Sequence, residues 1–308
     1  MCCFIPYALS LGPFALCEHV NKRVAMSSQK KNSGSKMTIS DLQSLYSREE
    51  KITVLTAYDY TMARMADDAG VDIVLVGDSL GMVIQGEDTT LPVDIEHMVY
   101  HTRCVAKGIK RAHLMADMPF MSYQPSLDVA VSNAGSLIKA GAASVKLEGG
   151  EEMADLVWYL DSIGIPVCAH IGLKPQSIHK LGGYKVQGRS KLQAEQIVAD
   201  AKILEEAGAF SLLLEGIPLE VAREITQTVA IPTIGIGSGP YCSGQVLVCY
   251  DVLGADPDFE PRFVKKYLNL HEQVTQAFSA FAAEVKAGQF PSDKHCFHQN
   301  VVAVKAIK

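Results

Sequence analysis

The apolar run Ile73-Val74-Leu75-Val76 stops at Gly77-Asp78-Ser79, and this passage from β-branched residues to an acid most constrains the fold. A short, continuous apolar run of this kind reads as a strand covered on both faces, as in a parallel sheet flanked by helices. The pattern then repeats. His113-Leu114-Met115-Ala116 ends in Asp117, and Ser144-Val145 leads into Lys146-Leu147-Glu148. Val167-Cys168-Ala169 ends in His170, and Ser211 to Leu214 ends in Glu215. Each strand delivers an ionisable side chain at its C-terminal end. Converging on one end of a closed barrel, these side chains would make a site.

The rest of the chain fits that scheme. Ser40 and Asp41 read as the cap of a short helix, Leu42 to Ser47, able to plug the bottom of a barrel. Ile52 to Ala57 is the first strand, and Asp59 caps a helix with Met62, Ala66 and Ala69 inward. Ile95, Met98, Val99, Thr102 and Val105 recur at helical spacing. Ser126 caps Leu127 to Ala140, with Gly141 as the stop. Leu173 to Arg189 is the longest irregular connection, read as a lid or binding loop, with a tolerated surface insertion as the competing reading. Thr233 to Ile236 and Gln245 to Val248 supply the last strands, and Val264 to Ala287 a terminal helical region with Val274, Phe278, Phe281 and Val285 on one stripe. Strands alternating with helices in this way predict an α/β fold of the (β/α)8 type, a TIM barrel forming a single domain. No early GxGxxG supports a doubly wound sheet instead.

Composition bounds the partners. The 308 residues are 48% hydrophobic, ample for a large core, and the formal charge of -6 argues against a nucleic-acid surface. Small molecules are the expected partners. The eight cysteines show no CxxC and no zinc-like spacing, which reads as reduced thiols in a cytosolic enzyme without bridges. Residues 1–36 differ from the rest: an apolar piece too short to span a bilayer, then a polar, Ser-rich piece. They are expected to be a disordered extension, from a start codon assigned too far upstream or, alternatively, a short leader. The expected organisation is the extension 1–36, a catalytic barrel 37–290 and a C-terminal tail 291–308.

At the expected mouth, Asp78, Asp117 and Glu148 would repel one another unless a cation sat between them. Oxygen-only ligands favour a hard ion, and so few of them suit Mg²⁺, which keeps water and substrate oxygens around it. Lys146 lies two residues before Glu148 and points the same way into the barrel. It reads as an anchor for a substrate carboxylate, or else as half of an internal salt bridge. His170 reads as a partner for a substrate oxygen, or as a merely buried histidine. Glu215, on a separate strand, reads as a proton acceptor, and Ser79 as a donor to a bound anion. Two other motifs compete. Gly77-Asp78-Ser79-Leu80 matches a GDSL esterase signature, but the barrel pattern contradicts that fold. Gly235, Gly237 and Gly239 read either as an anion nest or as a tight turn.

Thr56-Ala57-Tyr58-Asp59, Val76 to Gly81, Met115 to Phe120, Val145 to Gly150, His170 to Gln176 and Gly182 to Arg189 together resemble the ketopantoate hydroxymethyltransferase family, from about Met37 to about Phe290. The chain departs from the family pattern at Leu147 and Lys174. The resemblance implies a cytoplasmic enzyme of pantothenate biosynthesis that moves a one-carbon unit from 5,10-methylenetetrahydrofolate, its co-substrate, to 3-methyl-2-oxobutanoate. It implies one Mg²⁺ per subunit served by Asp78, Asp117 and Glu148. It also implies a keto acid held by Asp78, Ser79, Asp117 and Lys146, with Glu215 as base, and a homo-oligomer, a decamer of barrels. Lys180 and Lys185 are expected to meet the folate glutamate tail. The alternative is a Mg²⁺-dependent lyase or mutase of the phosphoenolpyruvate-binding barrel group. A catalytically silent binding barrel is a third reading, against which Glu215 stands.

Overall fold

The computed structural model describes residues 35–298. Almost all of the expected extension, with Cys2, Cys3 and Cys17, and the last residues of the tail lie outside the described residues. Eight parallel strands close into a barrel in sequence order, the last pairing with the first. They are β1 (Ile52–Thr56), β2 (Ile73–Val76), β3 (His113–Asp117), β4 (Ser144–Glu148), β5 (Val167–Gly172), β6 (Ser211–Glu215), β7 (Thr233–Ile236) and β8 (Gly244–Leu247). The helices are α1 (Ile39–Ser47), α2 (Tyr60–Asp68), α3 (Leu80–Val83), α4 (Ile95–Gly108), α5 (Leu127–Ala140), α6 (Ala154–Ser162), α7 (Ile178–Leu181), α8 (Lys191–Glu206), α9 (Leu219–Thr228), α10 (Cys249–Leu253) and α11 (Leu270–Lys286). The chain is a single-domain TIM barrel with a short helix before its first strand.

Alternation along the strands builds two cores, because successive side chains point to opposite faces. Val145, Leu147, Ala169, Leu212 and Leu214 point outward into the layer shared with the helices. Ile52, Val54, Ile73, Leu75, Met115, Cys168, Leu213, Ile234 and Val246 fill the barrel interior, with Leu42 of α1 packed among them as the expected plug. The plug is capped two residues earlier than Ser40 predicts. Thr38 Oγ1 accepts from Asp41 N at 3.3 Å, and Asp41 Oδ2 accepts from Thr38 N at 2.9 Å. A reciprocal box needs its acid three residues after the cap, and Thr38 supplies that spacing.

Three other expectations shift. The inward face of α2 is Ala63, Ala66 and Asp67, while Ala69 is exposed because the helix has ended before it. The Leu173–Arg189 connection is ordered in its first half, where a 3-10 turn over Pro175–Ser177 runs into α7. The terminal helix begins only at Leu270, and its stripe does not join the core: Phe278 is 69% and Phe281 57% exposed. Among the described residues, Cys104, Cys168, Cys242, Cys249 and Cys296 are free thiols.

Candidate active site

Above the apolar filling, the inward positions of β3 to β6 turn polar. Register decides which of them touch. Asp117 of β3 pairs with Lys146 of β4, and Lys146 Nζ lies 3.2 Å from Asp117 Oδ1. Glu148 pairs with His170 of β5, and His170 Nδ1 lies 3.6 Å from Glu148 Oε1. Gly172 at the end of β5 pairs with Glu215, and Leu173 N donates to the Glu215 carbonyl at 2.8 Å. Gly172 has φ +94°, and a Cβ there would run into that same carbonyl, so only glycine lets the two strand ends close up. As a result Glu215 stands beside His170, its Oε2 3.3 Å from His170 Nε2.

Asp78 arrives differently, from the turn after β2. Its backbone N–H donates to Asp117 Oδ2 at 3.0 Å, which draws the two acids together. Ser79, next along the turn, shares a 2.9 Å hydrogen bond with the Tyr58 hydroxyl. Asp78, Ser79, Asp117, Lys146, Glu148, His170 and Glu215 all line one cavity of about 1210 Å³. The structure thus brings together the seven side chains singled out for the metal, the keto acid and the base, but not Lys180 and Lys185.

The electrostatics follow from burial. Asp78, Asp117, Lys146, Glu148 and His170 are each 5% exposed or less. Burial raises the Asp117 carboxyl, Lys146 pulls it back and Asp78 pushes it up again, leaving it at about 7. Burial also pushes Glu148 well above the usual carboxylate range, against the pull of Lys146. Glu215 is raised to about 7, again by burial, with Lys146 opposing. For Lys146 burial works against the charge, but Asp117, Glu148 and Asp78 more than compensate, so the ammonium is retained. Burial, followed by repulsion from Lys146, drops His170 well below its ordinary value, so the imidazole is neutral. Lys146 Nζ lies 3.4 Å from His170 Nδ1. An ammonium can only donate, so Nδ1 accepts and Nε2 carries the proton on the side of Glu215. That contact lacks hydrogen-bond alignment, and Nε2 is otherwise unpartnered.

The three acids do not gather into a closed cage. Among the described residues, no three His, Cys, Asp or Glu side chains are placed to hold a cation unaided. The expected shared ligand sphere narrows to a shared cavity, because each acid already has a protein partner: Lys146 for Asp117, and Gln176 for both Asp78 and Glu148. The donors still suit a hard cation that takes much of its coordination from substrate and water. They are buried carboxylates that repel one another, and Asp117 Oδ1 is buried without a hydrogen bond.

Sequence reading gave no role to Gln176, although it closes the His170–Gln176 block, or to Tyr123. Both are buried beside the acids. Tyr184 and Val186, from the second half of the β5–α8 connection, line the cavity mouth, and the Tyr184 hydroxyl reaches Met82 Sδ at 3.6 Å. Lys180 and Lys185 are exposed, while Lys174 pairs with Glu152 at 3.3 Å.

Residues 36–293 match the description of the ketopantoate hydroxymethyltransferase family. The chain is 52% identical over 263 residues to the 3-methyl-2-oxobutanoate hydroxymethyltransferase of Geobacter metallireducens, covering 85% of this chain and 98% of that one. It is 52% identical over 273 residues to the protein of that name from Syntrophus aciditrophicus, covering 88% and 100%. Among solved structures it resembles a phosphonopyruvate hydrolase in complex with oxalate and Mg²⁺, at a TM-score of 0.56 and 14% identity over 84% of this chain and 93% of that one. It also resembles 2,3-dimethylmalate lyase, a member of the PEP mutase/isocitrate lyase superfamily, at 0.55 and 18% over 84% and 91%. At such identities these likenesses concern the fold alone.

Proposed function

This chain belongs to the ketopantoate hydroxymethyltransferase family, and from that premise we propose that it converts 3-methyl-2-oxobutanoate, 5,10-methylenetetrahydrofolate and water into 2-dehydropantoate and tetrahydrofolate. It is a transferase enzyme. One observation carries the reading: a carboxyl group raised to about 7, Glu215, shares a cavity with the buried Asp117–Lys146 pair. A base tuned near neutrality and a fixed cation are what removal of a proton beside a keto acid requires.

Lys146 meets the substrate carboxylate, and Ser79 and the Asp78–Asp117 turn hold its keto end. Glu215 takes the proton from C3, leaving a carbanion whose charge spreads onto the keto oxygen. His170, a neutral imidazole beside Glu215, presents its unpartnered Nε2–H to a substrate oxygen. The C3 carbon then forms its new bond to the methylene carbon of the folate, whose bonds to both folate nitrogens break as water supplies the hydroxyl. The proton taken from C3 and one proton of that water end on the two nitrogens of tetrahydrofolate. Asp78, Asp117 and Glu148 would hold Mg²⁺, which when bound supplies a Lewis acid for the charge on the substrate oxygens. The loop bearing Tyr184 covers the folate, with Lys180 and Lys185 toward its glutamate tail.

The barrel of residues 37–290 is the catalytic domain. Among the described residues no helix is long and apolar enough to cross a membrane, which is compatible with a cytoplasmic setting. The exposed apolar face of α11 supports association into a homo-oligomer, a decamer by family resemblance. The lyase or mutase alternative rests on fold likeness alone. The test is C3 deuterium exchange of 3-methyl-2-oxobutanoate in D₂O, with Mg²⁺ and without folate. Exchange by the protein and none by Glu215→Gln supports the reading, and equal exchange by both removes Glu215 from it.

A further inference from the structure

Gln176, in the 3-10 turn after β5, makes an unusual set of contacts for a neutral side chain. Its Nε2 donates to Asp78 Oδ2 at 2.8 Å and to the Met118 carbonyl at 2.9 Å. Its Oε1 accepts from the Tyr123 hydroxyl at 2.7 Å and from Gln124 Nε2 at 3.3 Å. Its backbone N–H donates to Glu148 Oε2 at 3.0 Å. The amide can sit only one way round, because flipping it would set an oxygen against a carboxylate and a carbonyl. Tyr123 in turn is pinned to β4, its hydroxyl accepting from Glu148 N at 3.1 Å. Gln176, Tyr123, Asp78, Glu148 and Met118 are each 5% exposed or less.

From this geometry we infer that Gln176 is a positioning residue that latches Asp78 and Glu148, so that the loop it belongs to sets the placing of two acids from different strands. The inference rests on the proposed function, in which those acids serve a divalent cation and the keto acid. Holding one oxygen of each carboxylate fixes where the other points. Outer partners of this kind are worth about 10- to 100-fold in metal affinity or activity. Tyr123 acts through Gln176 by holding the amide in its one productive orientation. The same turn leads through α7 to Tyr184 at the mouth.

The experiment compares the full chain with Gln176→Leu, Tyr123→Phe and the double variant. Mn²⁺ binding alone is followed by electron paramagnetic resonance, keto-acid C3 exchange gives kcat and KM, and thermal melts report the fold. The latch predicts that Gln176→Leu binds Mn²⁺ at least tenfold more weakly and loses kcat by a similar factor, with a melt close to that of the unaltered chain. Tyr123→Phe should lose less, and the double variant no more than Gln176→Leu alone. Mn²⁺ affinity and kcat unchanged in a folded Gln176→Leu would overturn the latch while leaving the proposed function standing. If Gln176→Leu does not fold, unchanged Mn²⁺ affinity in Tyr123→Phe overturns it. If the unaltered chain neither binds Mn²⁺ nor exchanges the proton, the proposed function fails and the latch with it.

Discussion

Glu215 Oε2 lies 3.3 Å from His170 Nε2, at the end of a line that runs from Asp117 through Lys146 to the neutral imidazole. Burial, reinforced by the charge of Lys146, keeps His170 unprotonated, and burial keeps Glu215 ready to take a proton near neutrality.

Glu215 must be ionised to act, and its carboxyl is raised to about 7. The exchange rate should therefore climb as pH rises from 6 to 8 and level off above. Glu215→Gln should lose roughly 10² to 10⁴ in rate and show no such climb. The stability effect has the opposite sign. A carboxyl raised on folding is neutral in both states below about 4.5, and its cost to the fold builds between about 4.5 and 7 and is constant above. Glu215→Gln should thus melt higher than the unaltered chain at pH 8 and no higher at pH 4, by differential scanning calorimetry.

Lys146→Met removes the cation from a pair whose side chains are 5% and 3% exposed. Breaking a buried pair from one side costs about 3–5 kcal/mol, unless the remaining acid takes up a proton. Urea unfolding at pH 8 should show most of that loss, and less at pH 5, where Asp117 is neutralised. KM for the keto acid should rise at least tenfold.

Gly172→Ala places a methyl group against the Glu215 carbonyl at a positive φ. Strain of this kind is worth about 1–3 kcal/mol, and relieving it moves Glu215 away from the substrate. The variant should melt lower than the unaltered chain, and its kcat for exchange should fall at least tenfold.

Asp78→Asn keeps the shape of the turn and its backbone bond to Asp117 but removes one charge. Removing divalent metal with a chelator should abolish exchange in the unaltered chain, and Mg²⁺ should restore it. In Asp78→Asn, Mg²⁺ should restore little, and Mn²⁺ binding should weaken at least tenfold. Full restoration would take Asp78 out of the proposed metal site.

Much of the site was legible because it follows the strand pattern. A buried strand admits an ionisable residue only where it can be paired or reach a cavity, so Asp117, Lys146, Glu148, His170 and Glu215 stood out against their apolar neighbours. Thr38, Tyr123 and Gln176 did not stand out, since a neutral polar residue in a loop has no preferred reading until its partners are known. The stripe on α11 was visible as a periodicity, but a periodicity does not say what it faces.

The alternation of strands and helices, the ionisable residue at the ends of β2 to β6 and the family blocks are local properties, carried by side-chain period and residue type, and the sequence alone determined them. Which acid meets which cation depends on register between strands far apart in the chain, and only closure of the barrel decided that. Lys146 meets Asp117 because β3 and β4 align them, and Gln176 reaches Asp78 because a turn after β5 folds over the barrel mouth. Contacts of that kind arise from the packing of distant segments, so no local pattern in the chain records them.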